Sequence, residues 1–356
     1  MKFALFTTNL AGGGAEKALA KIGSGLAASG HEVDFIVCED AGRHAPPAGC
    51  RFTALAGRAG HGWLGKRRLA WRLNRLLASS RPDLLVSTLP FADEVAALAR
   101  APRHICRIAN TLSAEIARLP AAKAQRRAAR YRALYGARRL VAVSQGVAND
   151  LQTEFGIDAD RVSVIPNPFD FAAIRALAAE PCPQRPREPY ILHVGRYAAQ
   201  KRHDLLLGAF AQADLPQQLV LLTPPDARLT ALIAQHGLQR RVVIADFQAN
   251  PYPWMAGADL LVLCSDHEGL PNVLIEALAC GTRVVSTDCP SGPREILGGE
   301  LAQGLVPCND AAALAAAMRA MPAAPKPGAD AVAAALAPYE AEAALDAWEH
   351  LARSQT

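Results

Sequence analysis

Short apolar runs alternate with helical patterns along nearly the whole chain, and this alternation constrains the fold more than any other feature. In the first half, Phe3–Thr8 reads as a strand, Glu16–Ser29 as a helix and Val33–Cys38 as a strand. Leu84–Ser87, a helix around Ala92–Arg100, Ile105–Ile108 and Leu140–Ser144 continue the series. The second half repeats it with strands at Tyr190–Val194, Leu219–Leu222, Val242–Ala245, Leu260–Cys264 and Arg283–Ser286. Continuous apolar strands separated by helices require parallel sheets covered on both faces, which makes this an α/β chain with two doubly wound, Rossmann-like domains. A length of 356 residues accommodates both. The Pro-rich stretch Pro181–Pro189 marks the junction, and a second break, Pro322–Pro327, precedes a last helical segment, Ala331–Ala352.

The segment from Ser265 to Gly281 carries the most chemistry. Gly269, Leu270, Pro271 and Asn272 interrupt the chain after the strand at 260–264, and Asn272 is placed to cap a helix starting at Val273. Glu268 then sits on the loop at the strand's carboxyl end, and Glu276 in the first turns of the helix. A helix N-terminus between two acids suits a sugar nucleotide: backbone N–H groups face the diphosphate while the carboxylates accept from hydroxyls. An acid that merely complements the helix dipole explains the segment about as well. A second strand exit reads Gly195-Arg196-Tyr-Ala-Ala-Gln-Lys201, and an Arg and a Lys there are natural partners for a pyrophosphate.

These motifs, together with Gly12-Gly-Gly-Ala-Glu16, Val164-Ile-Pro-Asn-Pro168 and Val284 to Leu297, resemble the retaining glycosyltransferases of the GT-B fold, family 4. The tail of the last motif resembles the subgroup that assembles bacterial cell-surface and lipid-linked glycans. The resemblance implies two domains facing across a cleft: an acceptor-side domain at 1–170, a nucleotide-sugar domain at 171–330, and a terminal segment, 331–356, crossing back to the first. It implies Arg196, Lys201 and Glu268 as the catalytic set. Gly13, Gly14, Gly195, Gly269, Leu270, Pro271, Asn272, Val273 and Glu276 complete the donor site. Front-face displacement is implied as well, with no cofactor and no metal. Two departures stand out. Thr223-Pro-Pro-Asp226 replaces a Gly-rich turn, and Asn110, with Arg107 nearby, stands where many members place an acceptor-side His.

Composition narrows the partners. Residues 1–170 hold 24 Lys and Arg against 14 Asp and Glu, a net of +10, while the remainder nets −5. Neither Asp40–Asp83 (between its ends) nor Leu119–Leu140 contains an acid. Such patches suit an anionic membrane surface or a polyphosphate; nucleic acid ranks last because no recognition motif or aromatic interleaving accompanies them. Within Lys66–Leu77, Leu69, Leu73, Leu76 and Leu77 share one helical face, and Trp71 lies opposite among Arg67, Arg68, Arg72 and Arg75. That face suits a membrane interface as well as it suits plain solvation. The first strand is not followed as a signal peptide would be, so a cytoplasmic enzyme, peripheral on the inner membrane face, is expected. Eight scattered cysteines without metal spacing point to reduced thiols.

The resulting expectation is transfer of a hexose or N-acetylhexosamine from a UDP-sugar to a lipid-linked or lipopolysaccharide saccharide. A soluble acceptor or a GDP-sugar is the nearest alternative. A nicotinamide dehydrogenase is argued against by Lys17, which stands where the glycine fingerprint needs a third Gly, although Glu39 and Asp40 end the second strand. A non-catalytic sugar-nucleotide binder would not need all four charged donor residues.

Overall fold

The computed structural model describes residues 1–11, 13–41, 45–58 and 60–354. The chain forms two compact units, Met1–Pro168 with Tyr339–Thr356, and Phe169–Pro338. The first unit runs β1 (Lys2–Thr7), α1 (Gly14–Ala28), β2 (Glu32–Glu39), β3 (Arg51–Ala56), α2 (Trp63–Ser80), β4 (Leu84–Thr88), α3 (Pro90–Leu98) and β5 (His104–Ile108). It continues through α4 (Leu112–Ala117), α5 (Ala121–Tyr135), β6 (Arg139–Ala142), α6 (Gln145–Phe155) and β7 (Val162–Val164). Its seven strands lie in the order β3-β2-β1-β4-β5-β6-β7, all parallel. Side chains alternate across β1, as a strand's period of two requires. Phe3 and Leu5 join the core beneath α1, while Ala4 and Phe6 join the one beneath α2 and α3.

The second unit contains α7 (Phe171–Ala178), β8 (Tyr190–Val194), α8 (His203–Ala213), β9 (Gln218–Leu222), α9 (Ala227–Gln235), β10 (Val242–Ile244) and α10 (Tyr252–Ala256). Then come β11 (Leu260–Leu263), α11 (Asn272–Ala279), β12 (Val284–Thr287), α12 (Pro293–Ile296), β13 (Leu305–Val306), α13 (Ala311–Ala320) and α14 (Ala329–Leu336). Six parallel strands are ordered β10-β9-β8-β11-β12-β13. Ile191, Leu219, Leu221, Leu260, Val262 and Val285 bury one sheet face against α8, α9 and α13.

The terminal helical segment is not continuous. It breaks at Ala337–Tyr339, where Pro338 lacks an N–H, and resumes as α15 (Ala341–Arg353). Residues 331–338 therefore cluster with the second unit, and α15 with the first. On α15, Ala344, Trp348, Leu351 and Ala352 recur at helical spacing and are buried, with Trp348, Leu351 and Ala352 in the core that contains Leu19, Ile22 and Leu26 of α1. Side-chain caps start several helices: Ser144 accepts from Val147 N, Asp170 from Ala173 N and Asp310 from Ala313 N. Among the described residues no helix is long and apolar enough to cross a membrane. All eight cysteines are free.

Candidate active site

In each sheet the strand order reverses direction once: between β8 and β11 in the second unit, and between β1 and β4 in the first. Open parallel sheets bind ligands outside the carboxyl ends of their strands at such reversals. In the second unit the two strands at the reversal lead directly into Gly195-Arg196 and into Ser265–Glu268. The sequence motifs thus emerge side by side although about seventy residues separate them.

Hydrogen bonds stitch the two exits together. Gln200 Nε2 donates to the His267 carbonyl at 2.6 Å, and Asp266 N donates to the Gln200 carbonyl at 2.9 Å. The Thr287 hydroxyl donates to the Ser265 carbonyl at 2.7 Å, and Glu268 N to the Pro290 carbonyl at 3.2 Å. Within this frame Lys201 Nζ meets Glu268 Oε1 at 2.6 Å, with side chains 22% and 9% exposed. Lys201 ends a one-turn 3-10 helix, Ala199–Lys201, and is not the freely exposed loop cation that its sequence position predicts. Arg196 is exposed, and its side chain has no ion pair among the described residues.

Glu276 lies on α11 and accepts from the Tyr252 hydroxyl at 3.4 Å. Burial, then the neighbouring Glu276 carboxylate, pushes the Tyr252 phenol well up, so it remains a donor. The helix begins one residue earlier than expected: Pro271 occupies the cap position, Asn272 is the first helical residue, and no side chain caps it. Pro cannot donate from its own nitrogen, so nothing is lost at that position. Gly269, Leu270 and Pro271 form the buried turn before the helix, and Val273 is half-buried in its first turn. Gly292 presses against this turn with φ +99°, and a Cβ there would lie 2.3 Å from Pro271 Cδ. Glycine is required at 292 on both counts.

Several supporting residues escaped the sequence reading. Arg202 joins Asp204 and Asp266 (2.7 Å) and reaches Asn309, bonds no local pattern announces. Thr223, in the segment that replaces the family's Gly-rich turn, is buried and accepts from Tyr197 N at 3.1 Å, while Asp226 caps α9 through Arg228 N at 2.8 Å. His193 gives Nδ1 to the Val262 carbonyl at 2.9 Å, and its buried Nε2 has no hydrogen-bond partner among the described residues. Burial, then nearby His203, lowers its pKa to about 3, so the imidazole is neutral.

In the first unit, Gly13 and Gly14 follow β1; Gly12 lies outside the described residues. Gly13 has φ −130°, so positive φ is not why glycine stands there. A Cβ at 13 would meet only the Glu16 carboxylate, the far end of a side chain that can swing aside, so packing does not demand glycine there either. Leu89, at the exit of β4, holds φ +77°, a strained conformation for a branched side chain and one concentrated at functional sites. Arg107 departs from its expected acceptor role. It is fully buried in β5, donates to Asn167 and to the Thr88 hydroxyl (3.4 Å), and burial lowers its pKa to about 10. Asn110 is half-buried just past β5. Arg72 departs likewise from the outward arginine row: it is half-buried and donates to the Leu55 carbonyl. Asp93, His104 and Cys106 bring possible metal-ligand atoms within 4.8 Å of one another beneath α3. Ser87 bonds both Asp93 and His104, and the Tyr135 hydroxyl donates to Asp93 at 2.8 Å, so the group is a closed polar network in the core.

Known proteins share this architecture. Residues 12–173 match the family described as Glycosyltransferase Family 4, and residues 188–322 the one described as Glycosyl transferases group 1. Together these matches define the class: the chain belongs to the GT-B glycosyltransferases, a family 4 amino half joined to a group 1 carboxyl half. Among curated relatives, an N-acetylgalactosaminyltransferase of Campylobacter jejuni that acts on a diphospho-undecaprenol saccharide is 36% identical over 44% of this chain and 42% of its own length. The lipopolysaccharide 1,6-galactosyltransferase of Salmonella typhimurium is 30% identical over 45% of this chain and 47% of its own. The chain thus spans under half the length of these relatives. Sucrose-phosphate synthase from Thermosynechococcus elongatus shares the fold at TM-score 0.78 and 22% identity, with 99% of this chain and 98% of that one covered. An Anabaena protein solved with UDP and glucose does so at 0.77 and 20%, with 99% of each chain covered.

Proposed function

We propose that the protein transfers a hexose or N-acetylhexosamine from a UDP-sugar to a lipid-linked or lipopolysaccharide saccharide. Configuration is retained, no metal is needed, and the enzyme works peripherally at the cytoplasmic membrane face. The observation that carries this reading is the grouping, at the strand-order reversal of the second unit, of exposed Arg196, the Lys201–Glu268 pair and Glu276 on the helix that follows. The acceptor class draws on the two curated relatives, whose names specify a diphospho-undecaprenol saccharide and lipopolysaccharide.

The chemistry follows from charge. As the anomeric carbon–oxygen bond to the diphosphate breaks, negative charge grows on the β-phosphate. Arg196 and the α11 N-terminus stabilise it, a task often worth several kcal/mol. Lys201 has three N–H donors, so it can serve the phosphate without releasing Glu268. Glu268, held in place by that ammonium, accepts from the donor sugar's hydroxyls and orients the anomeric carbon. Glu276 accepts from the ribose hydroxyls. The acceptor oxygen bonds to the anomeric carbon on the face the phosphate leaves, and its proton passes to the departing phosphate oxygen. Asn110, half-buried just past β5, supplies the acceptor-side contact.

A panel of UDP-, GDP- and ADP-sugars with NAD, read by thermal stabilisation and by donor hydrolysis with and without excess chelator, tests the proposal. Stabilisation and chelator-resistant turnover with a UDP-sugar are expected. Stabilisation by NAD alone, or loss of turnover that magnesium or manganese restores, would overturn it.

A further inference from the structure

At 3.6 residues per turn, Trp63, Leu64, Arg67, Arg68, Trp71 and Arg75 share the outward side of α2, opposite buried Leu69, Leu73 and Leu77. Arg67 lies over the Trp63 ring and Arg75 over the Trp71 ring, each at 4.9 Å and each four residues on. Trp63, Leu64 and Trp71 are 66%, 74% and 58% exposed, unusual for side chains of this size. The sequence pattern picks out Trp71 alone; Trp63 and Leu64 lie about two turns further toward the helix N-terminus.

A second basic surface adjoins the first. Lys66 of α2 and Arg130 of α5 bind opposite oxygens of one carboxylate, Glu94 of α3, which places the three helices side by side. Beyond Arg130, α5 lines an open cavity of about 250 Å³ with Leu119, Lys123, Arg126 and Arg127. Arg67, Arg68, Lys123 and Arg126 have no acidic partner among the described residues. Helices antiparallel to a parallel sheet start at its carboxyl edge, so Trp63, Leu64 and Glu94, all in opening turns, lie at the end where the loops that follow this unit's strands emerge. The two acid-free stretches of sequence thus converge on one face, rich in positive charge and carrying indole rings suited to the headgroup layer.

We propose that α2 and α5 together dock the protein on an anionic lipid leaflet. Trp63, Leu64 and Trp71 enter the headgroup region, while Arg67, Arg68, Lys123 and Arg126 meet the lipid phosphates. This rests on the reading of a membrane-borne acceptor and specifies the surface that reaches it.

Co-sedimentation with phosphatidylcholine vesicles, with and without phosphatidylglycerol, tests the face, because all the residues to be changed lie on the surface. The wild type is expected to pellet with anionic vesicles only, less as salt rises. Lys123→Gln with Arg126→Gln should weaken partitioning about 25-fold, roughly fivefold per charge removed. Trp63→Ser with Leu64→Ser should weaken it about tenfold or more while leaving the salt dependence in place. Trp254 and Trp348 are buried, so a blue shift of tryptophan emission on vesicle binding reports Trp63 and Trp71. Equal pelleting with both lipids, wild-type partitioning by either variant, or binding of inorganic pyrophosphate at α5 without vesicle binding would overturn the docking face. UDP binding measured on the same samples separates the two readings. Its persistence when vesicle binding fails condemns the face alone, and its absence in the wild type condemns the donor assignment.

Discussion

Replacing Lys201 with Met removes a charge and keeps most of the stem, leaving the Glu268 carboxylate only 9% exposed without its ammonium. At 2.6 Å and an effective dielectric of about 20, the direct attraction is on the order of 6 kcal/mol, much of it offset by the cost of desolvating both groups. Breaking a buried pair typically costs about 3–5 kcal/mol, and the 22% exposure of Lys201 brings this one below that range, to about 2–3 kcal/mol. For a unit of 170 residues, Phe169–Pro338, that is a drop in Tm of about 5–10 °C, read by circular dichroism without nucleotide. The double variant Lys201→Met/Glu268→Gln removes both charges of the pair and should recover at least half the loss. A single variant that melts with the wild type, or a double variant that melts below the single, would refute the argument.

Glu276→Gln should weaken UDP binding about tenfold or more by calorimetry, since hydrogen bonds to charged groups are worth about 1.5–3 kcal/mol; unchanged affinity would remove Glu276 from the ribose. Gly292→Ala forces an alanine to φ +99° against Pro271 and should cost about 1–3 kcal/mol, visible as a lower Tm; wild-type melting would show that the turn has room to give. Burial raises the Asp93 carboxyl from 3.8 to about 7, so the folded state holds its proton more tightly than the unfolded state. That contribution to stability is complete below about pH 4 and is lost as pH rises through about 7, on the order of 4 kcal/mol. Asp93→Asn should therefore flatten the decline in urea stability between those values, and an unchanged slope would contradict the assignment.

How much of this was legible depends on where each residue's partners lie. The central strands β1, β8 and β11 are apolar and bounded by turn residues, and the sequence marks them. The strands β3, β7 and β13 are short, half-exposed or mixed in character, and their periodicity is too weak to register. The residues of the proposed donor site stand in recognisable motifs, but the Lys201–Glu268 bond spans 67 positions and exists only because β8 and β11 are neighbours. Arg107 misled for the opposite reason: an arginine in a strand suggests a surface, and nothing local shows that Asn167, 60 residues on, receives it in the core. The shared carboxylate of Glu94 likewise joins helices whose basic stretches look independent in the sequence.

The central claim is that the strand exits of the second unit hold a nucleotide diphosphate through Arg196. Calorimetric titration of UDP and of uridine into the wild type and Arg196→Ala measures this directly, since the exposed arginine can be removed with little effect on folding. Loss of a charge-assisted contact should weaken UDP binding about tenfold to a hundredfold and leave the weak binding of uridine unchanged. Equal affinity of the two proteins for UDP, or parallel losses for UDP and uridine, would contradict the claim.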